Sequence, residues 1–229
     1  MRIVITGANR GIGLELTRRY LERGDHVEAA VRRPDAAAEL AALAGAAGGR
    51  LRIHACDVTD TASVRAFADA LGDVAVDVLI NNAGVMGKMK ALADLDFAEM
   101  TRTFDTNALG PLRVAGALLP HLRRSKTRKI VNITSGMGSI SDNTSGGAYG
   151  YRMSKAALNM GCRSMANDLR GEGFTAVVVN PGWVKTDMGG SHAPTPVEES
   201  ARLMMELIDR IGPEETGTFL DYRGHTWAW

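Results

Sequence analysis

The sequence is poor in what several functional classes require. It holds two cysteines, Cys56 and Cys162, in 229 residues. They lie far apart in apolar surroundings, with neither CxxC spacing nor a histidine cluster beside them. A disulfide framework and a zinc site both fit badly, and no metal is expected. Buried free thiols in a reducing compartment fit better. An excess of one charge is missing too: Lys and Arg total 27 against 26 Asp and Glu, a net charge of +1. That leaves no electrostatic case for nucleic acid or an anionic membrane as partner. The densest basic stretch, residues 123–129, reads as a solvated turn. No apolar run reaches membrane-spanning length, and Arg2-Ile3-Val4-Ile5-Thr6 is not preceded by a basic-then-apolar leader. With no linker, repeat or low-complexity tract, the expectation is one cytoplasmic domain large enough to bury a real core.

What is present is a regular alternation. Short β-branched runs at Ile3–Ile5, His26–Val31, Leu51–Cys56, Asp77–Ile80, Lys129–Ile133, Thr175–Val179 and Thr216–Leu220 are each separated by stretches with helical periodicity. The first, Ile3–Ile5, is a continuous apolar run, the mark of a strand buried on both faces of a parallel sheet, while Leu51–Cys56 alternates in character. The pattern predicts an α/β fold: a single doubly wound, Rossmann-type domain over residues 1–229, its sheet mostly parallel and its helices on both faces. One long helical region is expected over 94–124, with Asp94 as its cap and Pro111 as a kink. A segment over 186–200 has the look of a short lid.

The chemically suggestive stretches each follow a strand, where an open parallel sheet binds ligand. After the first come Gly7, Ala8, Asn9, Arg10, Gly11, Ile12 and Gly13, a G-x-x-x-G-x-G turn opening a helix. Glycines there permit a tight turn and bring a pyrophosphate onto the helix N-terminus. The second strand ends at Arg32, where a dinucleotide fold meets the adenosine ribose. An acid selecting NAD is missing, because Glu28 lies too early in the strand. Arg32, with Arg10 approaching from the glycine turn, suits a 2′-phosphate, so NADP(H) is predicted over NAD(H). Two arginines on a solvated turn are the plainer alternative. Asp57 and Val58 follow the third strand, with Thr59 or Asp60 capping the next helix. Asn82, Ala83 and Gly84 follow the fourth.

Tyr151 and Lys155 lie four apart, on one helix face with Cβ atoms about 5–6 Å from each other. At about 4 Å and an effective dielectric near 20, an ammonium attracts a phenolate by about 4 kcal/mol. That draws the phenol toward neutrality, as a general acid or base needs. The spacing alone occurs in many ordinary helices. Asn107 sits just before Pro111, where satisfying irregular backbone groups is the other use for a buried amide. Met86, Met89, Met137, Trp183, Met188 and Trp227 suit either core packing or an adaptable apolar pocket.

Thr6-Gly7-x-x-x-Gly11-Ile12-Gly13, Asn81-Asn82-Ala83-Gly84, Tyr151-x-x-x-Lys155 and Asn180-Pro181-Gly182, in this order, resemble the short-chain dehydrogenase/reductase family over nearly the whole chain. Within it, the stretches around Ser135, Tyr151 and Trp183–Met188 are similar to C-factor-like and sniffer-like carbonyl reductases. The resemblance implies Tyr151 as acid/base, Lys155 lowering its pKa and holding the nicotinamide ribose, Ser135 orienting the carbonyl, and Asn107 anchoring a water that links Lys155 to solvent. It implies that residues 7–13 bind pyrophosphate, Asp57 and Val58 the adenine, Asn82 to Gly84 the adenosine side, and Pro181, Gly182, Val184 and Thr186 the nicotinamide. Ser135 lies sixteen residues before Tyr151, farther than usual, which leaves Ser139 as a rival. The implied activity is NADP(H)-dependent hydride transfer between nicotinamide and a small carbonyl or alcohol, in a homodimer or homotetramer. The other reading is a cofactor-binding signalling or regulatory protein of the C-factor type with incidental redox activity.

Overall fold

A computed structural model describes all residues, Met1–Trp229. Seven strands form one sheet: β1 (Arg2–Thr6), β2 (His26–Val31), β3 (Leu51–Ala55), β4 (Val78–Asn81), β5 (Lys129–Ile133), β6 (Thr175–Asn180) and β7 (Phe219–Asp221). Their order is β3-β2-β1-β4-β5-β6-β7, and every neighbouring pair is parallel. The order reverses direction between β1 and β4, so a crevice opens beyond the carboxyl ends of those two strands.

Alternate residues of each strand face opposite layers. Ile3, Ile5, Val177 and Val179 point to one side, with α1 (Gly11–Glu22), α2 (Ala38–Ala46) and α7 (Val197–Arg210). Val4, Leu79, Ala176 and Val178 point to the other, with α3 (Thr61–Leu71), α5 (Gly110–Arg123) and α6 (Tyr149–Leu169). Both faces being covered explains why β1 and β6 read as nearly unbroken apolar runs, while the edge strand β3 alternates. Cys56 and Cys162 are buried, unpaired thiols in the second layer.

The 94–124 region differs from the single kinked helix expected. Asp96, not Asp94, caps α4 (Phe97–Phe104), accepting from the Glu99 amide at 3.0 Å. A π-helical turn, Asp105–Leu109, then joins α4 to α5 without a break, and Pro111, which has no N–H to give the ladder, follows it as the second residue of α5. The irregularity is a register change centred on Asn107, the kind of insertion found where helices carry function. Asp60 caps α3 through the Ala62 amide at 2.9 Å. Within the 186–200 segment the chain forms a loop closed at its base by a Val184–Thr195 bridge, and from Val197 onward it belongs to α7.

Candidate active site

A cavity of about 490 Å³ occupies the crevice. At its floor the β1–α1 turn is sewn to the end of β4: Asn82 Nδ2 donates to Thr6 O and Gly7 O at 3.0 and 3.1 Å, and the Asn82 and Ala83 amides both donate to Thr6 Oγ1. A Cβ on Gly7, at φ +64°, would fall 2.9 Å from Ala83 Cα. One on Gly13 would collide with Gly7 O and Asn82 Nδ2. The glycines thus let two strand ends meet. No side chain caps the N-terminus of α1, so its free amides face the cavity's glycine turn, where the helix dipole favours an anion.

At one end of the cavity stand Arg32 and Arg33, at the end of β2, with Asp57 beside them. Burial works against ionisation of Asp57, but bonds from Thr59 and the Arg32 charge hold its carboxyl below the usual range. Glu28, the acid placed too early to read a ribose, is fully spent. It is buried within the sheet layer, bonded to Arg2, to Arg52 at 2.8 Å and to His54 at 2.8 Å. Arg10 pairs with Asp187 at 3.1 Å, linking the glycine turn to the loop opposite.

The other end holds Tyr151 and Lys155, both buried on α6. Lys155 Nζ lies 5.8 Å from the Tyr151 ring centre and donates to Ile133 O at 2.8 Å. It has no carboxylate partner, and burial pushes its pKa down to about 8. Burial also pushes the Tyr151 phenol upward, and only the facing Ser135 hydroxyl pulls it back. The cost of burying the phenolate therefore dominates at Tyr151 in this geometry, with Lys155 Nζ turned to the Ile133 carbonyl. Ser135 rather than Ser139 is the serine beside Tyr151. Ser139 is buried away with Ser141 and the Asp142 amide.

Asn107 spends its amide on protein groups. Its Oδ1 accepts from the Val85 amide, and its Nδ2 donates to Val85 O and, at 3.0 Å, to Ser154 Oγ on α6. A Cβ on Gly84 would lie 3.2 Å from Asn107 Oδ1 and 3.6 Å from Lys155 Nζ, so both flank that glycine.

A family model for short chain dehydrogenases matches residues 1–196. The chain belongs to this family. Relatives of it include "C-signal" of Myxococcus xanthus, 56% identical over 166 residues that cover 72% of this chain and all of that protein. Among solved structures, the carbonyl reductase Sniffer of D. melanogaster superposes with a TM-score of 0.95 at 34% identity, covering 100% of this chain and 99% of that one. An NADPH-bound carbonyl reductase from chicken fatty liver does so with a TM-score of 0.94 at 35% identity, covering 100% and 98%.

Of the residues expected at the short-chain dehydrogenase site, Gly7, Asn9, Arg10, Gly11, Ile12, Arg32, Asp57, Val58, Asn82, Ala83, Gly84, Tyr151, Lys155, Pro181 and Thr186 line the cavity together. Gly13 packs beneath the turn, Gly182 packs on Tyr222, and Val184 is buried in the bridge to Thr195. These three stand behind the lining because their neighbours crowd them. Ser135 and Asn107 adjoin the lining through Tyr151 and Gly84. Of the apolar candidates only Met188 reaches the cavity; Met89 and Trp183 are largely exposed, and Trp227 packs on Phe219. Sequence reasoning passed over Arg33, Thr106 and Asp187, which also line it. Arg33 was visible as the neighbour of Arg32, whereas Thr106 depends on the π-helical turn, which has no sequence signature.

Proposed function

We propose that this short-chain dehydrogenase is an NADP(H)-dependent reductase of small carbonyl compounds, able to oxidise the matching alcohols. One observation carries the reading: a single cavity runs from two arginines at the end of β2, past an uncapped helix N-terminus, to a buried tyrosine and lysine. Its residues fit the dinucleotide at both ends. Arg32, Arg33 and Arg10 suit a 2′-phosphate, the turn over residues 7–13 suits the pyrophosphate, and Asp57, Val58 and Asn82 to Gly84 suit the adenosine side. Pro181, Gly182, Val184 and Thr186 border the nicotinamide end. The NADPH held by the chicken carbonyl reductase supports the same preference here.

When bound, the reduced nicotinamide supplies the hydride. The chain's part is orientation and proton handling. Tyr151 gives its phenolic proton to the carbonyl oxygen as that oxygen gains charge. Ser135 donates a hydrogen bond to the same oxygen; its Oγ already accepts from the Met137 amide at 3.1 Å, so the hydroxyl hydrogen is the part that turns between Tyr151 and substrate. Lys155, left without a protein counter-charge, holds the ribose hydroxyls and favours the phenolate of Tyr151 once a polar ligand relieves its desolvation. Asn107, its side-chain amide engaged by Val85 and Ser154, holds the shape of the irregular helix turn beside which a water returns protons to Lys155. The loop over 186–200 closes on bound ligand as a lid, exchanging the Arg10–Asp187 pair for contacts to phosphate. Exposed apolar side chains along α4, the π-helical turn, α5 and α6 (Phe97, Phe104, Leu109, Leu112, Met153 and Met160) suit a homodimer or homotetramer. No helix is long and apolar enough to cross a membrane; the free thiols fit a cytoplasmic location.

The test is binding followed by turnover. NADPH binding tighter than NADH binding, with NADPH consumed by a panel of aldehydes and ketones, is the expected outcome. The 56% identity to C-signal favours one second reading, a cofactor-binding signalling protein. Tight NADPH binding with no carbonyl reduced would favour it.

A further inference from the structure

The aromatic tail is not part of the cavity, yet it reaches the reaction centre through the turn that carries Ser135. After β7 the chain reverses at residues 221–225, where the Asp221 carboxylate accepts from the amides of Arg223 and His225. It then pairs back antiparallel, with a Leu220–Thr226 bridge and the Trp227 amide donating to Phe219 O at 2.7 Å. This pairing aims the Trp227 indole at the residue after Ser135: a Cβ on Gly136 would sit 3.2 Å from Trp227 Cζ2 and 3.4 Å from Asn180 Nδ2. Farther along, the Trp229 main-chain oxygen accepts from Ser141 N at 3.0 Å and from Ser141 Oγ at 2.8 Å. The tail is therefore fastened at both ends of the segment 136–141.

The opposite side of the same turn is gripped from α6. Asn159, one turn beyond Lys155 and 3% exposed, accepts from Thr134 Oγ1 at 2.6 Å and donates to Gly138 O at 3.2 Å. Its two contacts bracket Ser135. Inside the bracket, the Met137 amide bonds Ser135 Oγ and the Gly138 amide bonds Ser135 O at 2.9 Å. A buried amide with both ends satisfied by residues on either side of one serine fixes that serine's backbone, and the indole blocks the direction in which the turn would relax.

We infer that Trp227 and Asn159 are positioning residues that clamp the Ser135 turn between the tail and α6, presetting the serine hydroxyl toward Tyr151 and the substrate oxygen. This rests on the carbonyl reductase reading for its kinetic consequence but not for its structural one. Reaction geometry is sensitive: a misplacement of about 1 Å can cost on the order of 100-fold in rate. Thr134 lines the cavity, but the glycine turn and the arginines proposed to hold the dinucleotide lie elsewhere in it, so the loss falls mainly on the chemical step.

The experiment compares wild type with Trp227→Ala, Trp227→Phe and Asn159→Asp, each confirmed folded by circular dichroism. Amide hydrogen exchange over residues 134–139 needs no turnover. Steady-state reduction of 4-nitrobenzaldehyde and calorimetric NADPH binding give the kinetic side. Trp227→Ala should speed exchange in that peptide but not in β1 to β3. It should lower kcat by about 10- to 100-fold with NADPH affinity kept, and Trp227→Phe should restore most of the rate. Asn159→Asp, which keeps the bond from Thr134 and loses the one to Gly138, should show the same pattern. Unchanged exchange at 134–139, or faster exchange with kcat unchanged in an active enzyme, would overturn the clamp. A wild type that reduces no carbonyl would instead defeat the reductase reading, and the exchange result would still decide whether the clamp exists.

Discussion

Two buried charges in this molecule are treated in opposite ways. Glu28, within the β1–β2–β3 part of the sheet, is surrounded by Arg2, Arg52 and His54. Burial alone would raise its pKa, but bonds from His54, Arg52 and Arg2 and the Arg52 charge bring it down to about 2. Lys155, beyond the end of β5, meets a single carbonyl and no carboxylate, and burial lowers it to about 8. A buried ion that serves the fold is paired, because an unpaired one costs several kcal/mol. One left unpaired in a cleft is held ready for a partner that arrives later, which is the ordinary signature of a functional site. Apolar surroundings make that cost larger, and the two hydrophobic layers on either face of the sheet supply the stabilisation that offsets it.

Substitutions should separate the two. The largest effect belongs to the group Lys155 serves: Tyr151→Phe should lower carbonyl turnover by about 1,000-fold while NADPH still binds, measured by steady-state rates and calorimetry. Glu28→Gln should leave cofactor affinity and kcat near wild type yet lower unfolding stability by about 3 kcal/mol, read by denaturant melts, since two arginines and a histidine lose their buried counter-charge. Lys155→Met should do the reverse, costing about 100-fold in turnover with stability kept or raised. Equal stability losses in both variants would erase the distinction. Smaller still, Arg32→Ala should weaken NADPH about tenfold, about 1.4 kcal/mol, and leave NADH nearly unchanged.

The pH dependence of stability follows the same division. The folded-state pKa of Glu28, about 2, lies below its ordinary 4.5, so its contribution is complete above pH 4.5 and is lost as pH falls toward 2. Lys155 is also depressed, from 10.5 to about 8, but a depressed lysine disfavours the folded state while charged. Its penalty is full below pH 8 and lifts between 8 and 10.5. Melts across both windows should show a loss on the acid side that Glu28→Gln removes, and a gain on the alkaline side that Lys155→Met removes.

Much of this was legible in the residues, for a physical reason. Strands covered on both faces must be apolar throughout, so β1, β5 and β6 announced themselves, and glycines are needed where two strand ends meet, so the turn at Gly7 did as well. The i, i+4 relation placed Tyr151 and Lys155 on one face correctly. What could not be read was the consequence of burial. The sequence estimate treated Lys155 as a full ammonium in a middling dielectric, whereas desolvation acts on both partners and depends on packing from β5 and the Ser135 turn. The π-helical turn at Asn107 was likewise hidden, since a one-residue register change leaves the apolar spacing almost intact; Pro111 marked the place but suggested a kink. The contacts of Trp227 and Asn159 depend on a chain reversal after β7 and on the pitch of α6 against β5, neither of which composition specifies.

The account turns on Lys155 being an unpaired buried cation that waits for ligand. Its side-chain nitrogen, followed by NMR across a pH titration with and without NADPH, tests this most directly. Titration near pH 8 in the free protein, moving to higher pH when NADPH is added, is the predicted result. A free-protein lysine titrating at its ordinary value, or one that NADPH leaves unmoved, would contradict it.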